Sequence, residues 1–283
     1  MAVAGIIAEY NPFHRGHGWQ LSALRGQLGQ DTEVVAVMSG NFVQRGDLAV
    51  MDKHARAEAA LRCGVDLVLE LPTPWSCSTA ERFAQGGAAI LAATGVVTHL
   101  VFGSECGDLD ALWAAALCLD GEEYPLVLRR LLATGMSFAA ARQEAVAQLS
   151  GDAARCLSQP NDNLAVEYLR ALSRVDGAGG IEPVTFRRVG AAHDSAEPGA
   201  YASASYIRGL VLAGDPTCLL YTSRAGFDES TANSGFLPLG GRKVLVRLDG
   251  KVFEADLDKD NDLPAEIDAL IYTILVNYAY LLG

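Results

Sequence analysis

The chain has 283 residues, of which 50% are hydrophobic and 20% charged, and its formal net charge at pH 7 is −12. This length allows one large α/β domain, alone or with a small appendage, and the apolar content supports a sizeable core, so we expect a globular, soluble protein. The acidic balance argues against a broad nucleic-acid-binding surface, because phosphate contacts normally leave a basic footprint, although a local basic patch is compatible with it.

The amino terminus and the cysteines indicate a cellular compartment. The amino terminus lacks the basic flank and cleavage site of a signal peptide, and the apolar run at Val3–Ala8 is too short to cross a bilayer. The sequence contains no Cys-x-x-Cys pair, which favours reduced thiols. We therefore expect a cytoplasmic protein without membrane association, whose cysteines are Cys63, Cys77, Cys106, Cys118, Cys156 and Cys218.

The most informative stretch lies at the start of the chain. The apolar run Val3–Ala8 predicts a buried strand, which the turn at Asn11-Pro12 ends. His14 and His17 are three residues apart, so both imidazoles face the same way if a helix begins near His14. Gly16 between them leaves room for a phosphate chain, and a helix amino terminus favours an anion. The pattern predicts a triphosphate-binding loop with His14 and His17 as catalytic residues.

Two other interpretations of the histidine pair are open. A His-x-x-His pair is often a capping or surface pair. A zinc site is the weaker alternative, because no nearby cysteine or carboxylate completes a ligand set, and we predict no protein metal site.

The rest of the chain alternates predicted strands with predicted helices. The strands are expected at Glu33–Met38, Asp66–Leu71, His99–Phe102 and Ile181–Val189, and the helices at about Gly18–Leu28, Asp52–Cys63, Thr79–Thr94 and from Gln159 to about Arg174. This alternation implies right-handed crossovers and an α/β fold with a doubly wound parallel sheet of five strands. Residues from about 108 to 174 are predicted to form a helical insertion, with breaks at Gly121 and Gly135.

Candidate ligand contacts follow the predicted strands, because ligands bind at the carboxyl ends of strands in doubly wound sheets. Lys53, the only lysine before residue 243, is either a phosphate ligand or a solvated lysine at a helix start. Gly103 is either a surface against which an adenine or ribose packs, or a turn glycine. Arg187 and Arg188 end the fifth strand, where an arginine can pair with phosphate or stack on a base.

Two helix starts add further candidates. Asn161 is predicted to cap the helix that follows Gln159. Ser203 and Ser205 offer hydroxyl groups at a helix start, and with Arg208 one turn on they can clamp a pyrophosphate. An ordinary serine-capped helix is the alternative for this segment.

Several of these motifs resemble one known family. The string Glu9-Tyr10-Asn11-Pro12-Phe13-His14-Arg15-Gly16-His17 is similar to that of the tRNA(Met) cytidine acetate ligases, a branch of the His-x-Gly-His nucleotidyltransferase superfamily, except that Arg15 is usually asparagine there. The Pro-Asn pair and the later Glu167-Tyr168-Leu169 also match. Asp162 stands where the family usually has a second asparagine, so the ATP contact is carried onto Asn161 alone. The resemblance covers about residues 1 to 215.

The resemblance implies a nucleotidyltransferase Rossmann-like domain that uses ATP as a substrate, with Mg²⁺ and without acetyl-coenzyme A. Acetate attacks the α-phosphate to give acetyl-adenylate, and the acetyl group then passes to the wobble cytidine of elongator tRNA(Met). The implied ATP contacts are Ile7, Ala8, Glu9, Tyr10, Asn11, Pro12, Phe13, His14, Arg15, Gly16, His17, Gly18, Trp19, Gln20, Gly103, Asn161, Arg187 and Arg188. Lys53, Ser203, Ser205 and Arg208 are candidate phosphate contacts.

Other functions stay open for this sequence: a small-molecule adenylyltransferase, or a truncated nucleotide-binding module that does not act on tRNA. The tail at 216–283 looks divergent, with a predicted hairpin at Arg242–Leu257 and a predicted helix at Ala265–Leu282. Its start, Cys218–Ser223, matches the peptide that a common sequencing adaptor encodes. The tail is therefore interpreted either as a chimeric or truncated end, or as a divergent native segment.

Overall fold

The computed structural model describes residues 1–188, apart from the side chain of Arg45, and residues 202–215, together with the backbone of three strands at 235–240, 243–248 and 251–256. The chain divides into two compact units. One comprises Met1–Tyr10 with Trp19–Val189, and the other comprises Asn11–Gly18 with Gly190–Gly283.

The first unit is built on a five-stranded sheet. Its strands are β1 (Val3–Ala8), β2 (Glu33–Ser39), β3 (Leu67–Leu71), β4 (His99–Ser104) and β5 (Glu182–Arg187). They lie in the order β3-β2-β1-β4-β5, and every neighbouring pair is parallel. This order confirms the predicted doubly wound sheet. The strand order reverses between β1 and β4, which is where such sheets open a ligand crevice beyond the carboxyl ends of their strands.

The strand boundaries differ slightly from those predicted. β4 continues to Ser104 rather than ending at Phe102, and β5 begins at Glu182, one residue later than expected. The predicted end of the fifth strand, Val189, lies outside the described residues. Strand ends depend on hydrogen bonds to neighbouring strands, so a sequence pattern places them only within one or two residues.

Helices and short turns connect the strands. They are α1 (Arg15–Leu28), α2 (Lys53–Arg62), α3 (Thr73–Ser76), α4 (Ala80–Ala93), α5 (Leu109–Asp120), α6 (Tyr124–Leu132), α7 (Phe138–Ser150), α8 (Pro160–Arg174) and α9 (Ala204–Leu212). Four of them, α5 to α8, lie between β4 and β5 in the chain. α1 begins at Arg15, three residues before the predicted start. Gly121 follows the end of α5 and Gly135 lies between α6 and α7, as predicted.

Two adjacent glycines let α4 approach its neighbours closely. A Cβ atom on Gly87 would lie 2.6–2.7 Å from side-chain carbons of Ile7 on β1, and one on Gly86 would lie 2.7–2.9 Å from Trp75 on α3. Glycine in the middle of a helix costs about 0.5–1 kcal/mol relative to alanine. The close contacts with β1 at Gly87 and with α3 at Gly86 are the reason that these two positions tolerate it.

Charged side chains connect the helices of the first unit. The Glu167 carboxylate on α8 is buried, and it accepts hydrogen bonds from Arg142 at 2.5 Å and Arg170 at 2.7 Å. Arg170 and Arg174 also pair with Asp120 on α5, at 2.7 and 2.5 Å. Burial raises the pKa of Glu167, and the two arginines act in the opposite direction. These arginines thus join α5, α7 and α8.

The second unit contains α9 and a three-stranded antiparallel sheet of order β6-β7-β8, formed by Gly235–Gly240, Lys243–Leu248 and Lys251–Asp256. β7 and β8 fall within the stretch that was predicted as a hairpin, whereas β6 was not predicted. The predicted helix at Ala265–Leu282 and the segment Cys218–Ser223 lie outside the described residues. In the parts of the chain that are described, no helix has the length and apolarity needed to cross a bilayer.

The contact at Gly87 predicts a stability difference between two glycine substitutions. Gly87→Ala is expected to lower the free energy of unfolding by about 1–3 kcal/mol, because the new methyl group overlaps Ile7. Gly26→Ala is the matched control, since Gly26 is exposed in α1 with no atom near the position of a Cβ. It is expected to stabilise the protein by about 0.5–1 kcal/mol. Urea unfolding followed by circular dichroism measures both, and equal shifts would contradict the packing argument.

Candidate functional site

The two histidines form a reciprocal cap at the start of α1. His14 immediately precedes the helix, and its carbonyl oxygen accepts hydrogen bonds from the backbone N–H groups of His17 and Gly18, at 2.9 and 3.3 Å. Its Nδ1 accepts from Gly16 N–H at 3.1 Å, and the Nδ1 of His17 accepts from His14 N–H at 3.2 Å. The arrangement resembles a capping box with imidazole nitrogens in place of oxygens, except that His14 accepts from the second helical N–H group, that of Gly16.

The cap fixes which ring nitrogen carries the hydrogen. Because both Nδ1 atoms accept hydrogen bonds from backbone N–H groups, each neutral imidazole bears its hydrogen on Nε2. The two rings are stacked, with centroids 3.8 Å apart and an interplanar angle of 23°. The two histidines therefore do cap the helix, and they do so through their Nδ1 atoms. As a result each Nε2 carries a hydrogen and is a donor of the kind that suits phosphate oxygens.

Gly16 has a local reason to be glycine. A Cβ atom there would lie 2.9 Å from Cε1 and 3.0 Å from Nδ1 of His14, so a side chain would displace the His14 ring. From the sequence, we predicted that Gly16 leaves room for a phosphate chain. In the structure, the atoms nearest to the position of a Cβ on Gly16 belong to His14. The Phe13 ring contacts the His17 ring, with centroids 5.2 Å apart.

Helix α9 meets the histidine segment through Arg208. Its Nη1 donates to the carbonyl oxygen of Asn11 at 3.1 Å, and its Nη2 donates to Ser205 Oγ at 2.9 Å. The Ser203 hydroxyl accepts from Tyr206 N–H at 3.1 Å and so caps the helix. The structure therefore brings Arg208 and Ser205 to the loop that holds the histidines, and it gives Ser203 the structural role that was the alternative interpretation.

In the first unit, a buried arginine organises the carboxyl ends of β1 and β2. Arg56 on α2 has no exposed surface, and its two terminal nitrogens donate to the carbonyl oxygens of Glu9 and Gly40, while Nε donates to that of Met51 at 3.1 Å. The Glu9 carboxylate accepts from Gln44 N–H at 2.9 Å. Burial lowers the pKa of Arg56, and the Glu9 charge opposes this. The sequence did not predict this role.

Lys53 lies one turn before Arg56 on the same helix. Its Nζ is 2.7 Å from Oε2 of Glu70 on β3, and both side chains are partly exposed. Asn41 Oδ1 accepts from the Lys53 backbone N–H at 2.9 Å. Lys53 thus has a carboxylate partner, which a phosphate group would have to replace or share.

Three of the predicted ATP contacts near the start of the chain, Ile7, Tyr10 and Trp19, make contacts within the protein. The Ile7 side chain is buried against α4, and its carbonyl oxygen accepts from the Tyr168 hydroxyl at 3.3 Å. Tyr10 is buried with a positive φ of 46°, and burial raises its pKa. The Trp19 ring meets Phe186 of β5 edge-on, with centroids 6.4 Å apart.

The prediction that Asn161 caps α8 is wrong. Gln159 occupies the cap position without a side-chain hydrogen bond, and Asn161 lies inside the first turn. Glu105, after β4, takes the capping role: its Oε1 accepts from Asn161 Nδ2 at 2.6 Å and its Oε2 from Asp162 N–H at 2.8 Å. A carboxylate at this position satisfies free N–H groups and complements the helix dipole.

Asp162 in turn accepts hydrogen bonds from the segment that contains Glu105. Its Oδ1 accepts from the backbone N–H groups of Glu105 and Cys106, at 2.7 and 3.1 Å, so each acidic side chain caps the other's segment. Burial raises the pKa of Asp162, and the hydrogen bond from Cys106 N–H lowers it. Neither Glu105 nor Asp162 was predicted as a site residue.

Comparison with known proteins identifies the family. Residues 1–231 match the model of the HIGH Nucleotidyl Transferase family. The chain belongs to this family.

Curated relatives are tRNA(Met) cytidine acetate ligases. The one from Syntrophotalea carbinolica is 49% identical over 221 residues, which cover 76% of this chain and 52% of that protein. The one from Syntrophomonas wolfei is 44% identical over 214 residues, covering 74% and 51%. The chain therefore spans about half the length of the curated relatives that it matches.

Two solved structures of Thermotoga maritima TmcAL have the same fold as the present chain. The form bound with alpha-thio ATP is 42% identical, with a TM-score of 0.67, and covers 74% of this chain and 50% of that one. The apo form is 38% identical, with a TM-score of 0.73, covering 82% and 55%.

On the β4 side of the point where the strand order reverses, the carboxyl ends of β4 and β5 bring Gly103 and Arg188 together. A Cβ atom on Gly103 would lie 3.1 Å from Cγ of Arg188, and Arg188 N–H donates to the Ser104 carbonyl oxygen at 2.8 Å. Arg187 instead packs against Gly107, whose φ of 65° favours glycine. Gly103, Arg187 and Arg188 therefore lie near one another at the carboxyl ends of β4 and β5.

The sequence contains a partial indication of Arg56 and Glu105, whose roles we did not predict. Arg56 lies one turn after Lys53 on the same predicted helix, and Glu105 ends the Phe-Gly-Ser-Glu string after the fourth strand. Apart from Met51, which is 5 positions from Arg56, their partners are 16 to 57 positions away in the chain. Local patterns do not reveal contacts of that range.

The buried position of Arg56 predicts that a conservative change is costly. Arg56→Lys is expected to lower the free energy of unfolding by about 3 kcal/mol, because an ammonium group leaves at least one buried carbonyl unsatisfied, at about 1–3 kcal/mol each. Arg62→Lys on the same helix is the control, since Arg62 forms an exposed pair with Glu58 and its change is expected to cost under about 0.5 kcal/mol. Urea unfolding of both variants measures the difference, and a cost for Arg56→Lys no larger than that of the control would refute the assigned role.

Proposed function

We propose that this chain is an ATP-dependent ligase that activates acetate as acetyl-adenylate and transfers the acetyl group to the wobble cytidine of elongator tRNA(Met), forming N4-acetylcytidine in the cytoplasm. The observation that carries the proposal is the histidine cap, whose Nε2–H donors lie in the motif of the family. The names of the relatives support it, as does the alpha-thio ATP bound to one of the TmcAL structures.

The residue types suit the first step. Acetate is already a competent nucleophile, so its attack on the α-phosphate of ATP needs no general base. The new bond forms between an acetate oxygen and the α-phosphorus as the bond to the pyrophosphate oxygen breaks. Positioning and neutralisation of the charge on the phosphate oxygens are then the main demands on the protein. We assign this role to the Nε2–H groups of His14 and His17, with Lys53, Ser203, Ser205 and Arg208 as further phosphate contacts.

The remaining ATP contacts are proposed for the segment from Ile7 to Gln20 and for Gly103, Asn161, Arg187 and Arg188. The Asn161 amide is oriented by Glu105, since its Nδ2 donates to that carboxylate. Its Oδ1 is therefore the atom that would accept a hydrogen bond from an adenine amine or a ribose hydroxyl.

Mg²⁺ is expected to arrive with ATP. In the described part of the sheet's carboxyl edge, the carboxylates of Glu9, Glu70 and Glu105 are engaged by Gln44, Lys53 and Asn161. These residues do not form a carboxylate cage, and Mg²⁺ is commonly held by phosphate oxygens and water with few protein ligands. Acetyl-coenzyme A has no place in the proposed reaction, because ATP supplies the activation of acetate.

Labelled acetate, ATP and bulk tRNA, incubated with the purified chain, test the proposal. Label in tRNA that depends on ATP is the expected result. Acetyl-adenylate without transfer would indicate a nucleotide-binding module without turnover on tRNA. Nucleotidyl transfer that does not depend on acetate would indicate a small-molecule adenylyltransferase instead.

The histidine cap allows a substitution that separates stability from chemistry. His14→Asn and His17→Asn keep an acceptor for the capping N–H groups but remove the Nε2 donor. Each is expected to lower acetate-dependent ATP–pyrophosphate exchange on the order of 100-fold or more, the usual effect of losing one donor to a developing charge, with little change in thermal unfolding. His99→Gln, at the amino end of β4, is the control and should keep full exchange. Exchange that persists in both cap variants would refute the assigned catalytic role.

A further inference from the structure

Two cysteines and an aspartate from separate segments meet in the first unit. The Sγ atoms of Cys106 and Cys156 and a carboxylate oxygen of Asp162 all lie within 4.8 Å of one another. Cys106 follows β4, Cys156 lies in the turn Gly151–Leu157, and Asp162 is in the first turn of α8. Cys156 and Asp162 are almost fully buried, and Cys106 is partly exposed.

We propose that Cys106, Cys156 and Asp162 bind one divalent transition-metal ion, with Zn²⁺ as the best match. Two thiolates and a carboxylate are a zinc ligand set, and a fourth position filled by water completes a tetrahedron. Zinc–sulfur bonds of about 2.3 Å in tetrahedral geometry place two sulfurs about 3.8 Å apart. The three ligand atoms are close enough to reach that arrangement by small side-chain rotations.

Neighbouring backbone groups already orient the ligands. Asp108 N–H donates to Cys106 Sγ at 3.4 Å. The N–H groups of Glu105 and Cys106 hold the Asp162 carboxylate. Such contacts around metal ligands fix their direction and strengthen binding by about 10–100-fold. The exposed part of Cys106 makes the cluster reachable from solvent.

The carboxylate distinguishes this proposal from a disulfide. A Cys106–Cys156 disulfide would account for the two close sulfurs alone. A cation would account for the sulfurs and would also neutralise the buried Asp162 carboxylate, which the N–H groups of Glu105 and Cys106 hold beside them. It would also tie together the loop after β4 and the start of α8, the two segments that Glu105 and Asp162 cap reciprocally. None of the three ligands is among the residues proposed to bind ATP.

Titration of the reduced 283-residue chain with Co²⁺ tests the proposal, because cobalt bound to thiolate gives a strong near-ultraviolet charge-transfer band. The expected result is a band that saturates at about one cobalt per chain and disappears when Zn²⁺ is added. Cys156→Ser removes a ligand and is expected to weaken Co²⁺ binding by about 100-fold or more, since loss of a group that only orients a ligand already costs about 10–100-fold. Cys77→Ser is the matched control and should bind as the wild type does.

Asp162→Asn is the second variant, since asparagine keeps an acceptor for the two N–H groups but removes the ligand charge. It is expected to weaken cobalt binding while leaving the circular dichroism spectrum unchanged. A wild-type chain with no thiolate-to-cobalt band would overturn the proposal. So would an intact mass showing that Cys106 and Cys156 form a disulfide as purified, with no metal bound after reduction.

Discussion

Backbone donors and acceptors at the ends of strands and helices have no partner within their own element, and this constraint determines the contacts of key polar side chains at the carboxyl edge of the sheet. Arg56 meets the carbonyl groups that end β1 and β2, and Glu105 meets the first N–H groups of α8. Leaving such a group buried and unpaired costs about 1–3 kcal/mol. The side chains at the carboxyl edge of the sheet therefore stabilise the fold and shape the candidate site at the same time.

The histidine pair shows how one side chain serves both purposes. Serine, threonine, aspartate or asparagine would cap α1 as well as histidine does, since each has an oxygen that accepts from the helix start. Imidazole differs because it has a second nitrogen on the opposite side of the ring. Using Nδ1 of His14 and His17 for the cap turns each Nε2 into a hydrogen-bond donor. A cap alone does not require histidine, so the proposed contact of each Nε2–H with phosphate is what would require it.

Local patterns were sufficient for the sheet and insufficient for the long-range polar contacts around it. The apolar run Val3–Ala8 and the later strand patterns predicted five parallel strands, because burial on both faces demands such runs. The cap of α8 was misassigned to Asn161, because Glu105 is 57 positions from Asp162 and no spacing rule links them. The burial of Arg56 was missed for the same reason: an arginine in a helix start looks solvated until the strands that it contacts are placed.

The acidity of the chain has different consequences for its two proposed substrates, ATP and tRNA. Charges act over about 8 Å at physiological ionic strength, so a bound nucleotide responds to its immediate neighbours rather than to a net charge of −12. In the described part of the sheet's carboxyl edge, Glu9, Glu70 and Glu105 each have a protein donor, which reduces their repulsion of phosphate. A tRNA covers a much larger surface and meets the long-range field, which mainly slows association. Nucleotide binding is thus compatible with this acidic chain, whereas RNA binding requires a local basic surface.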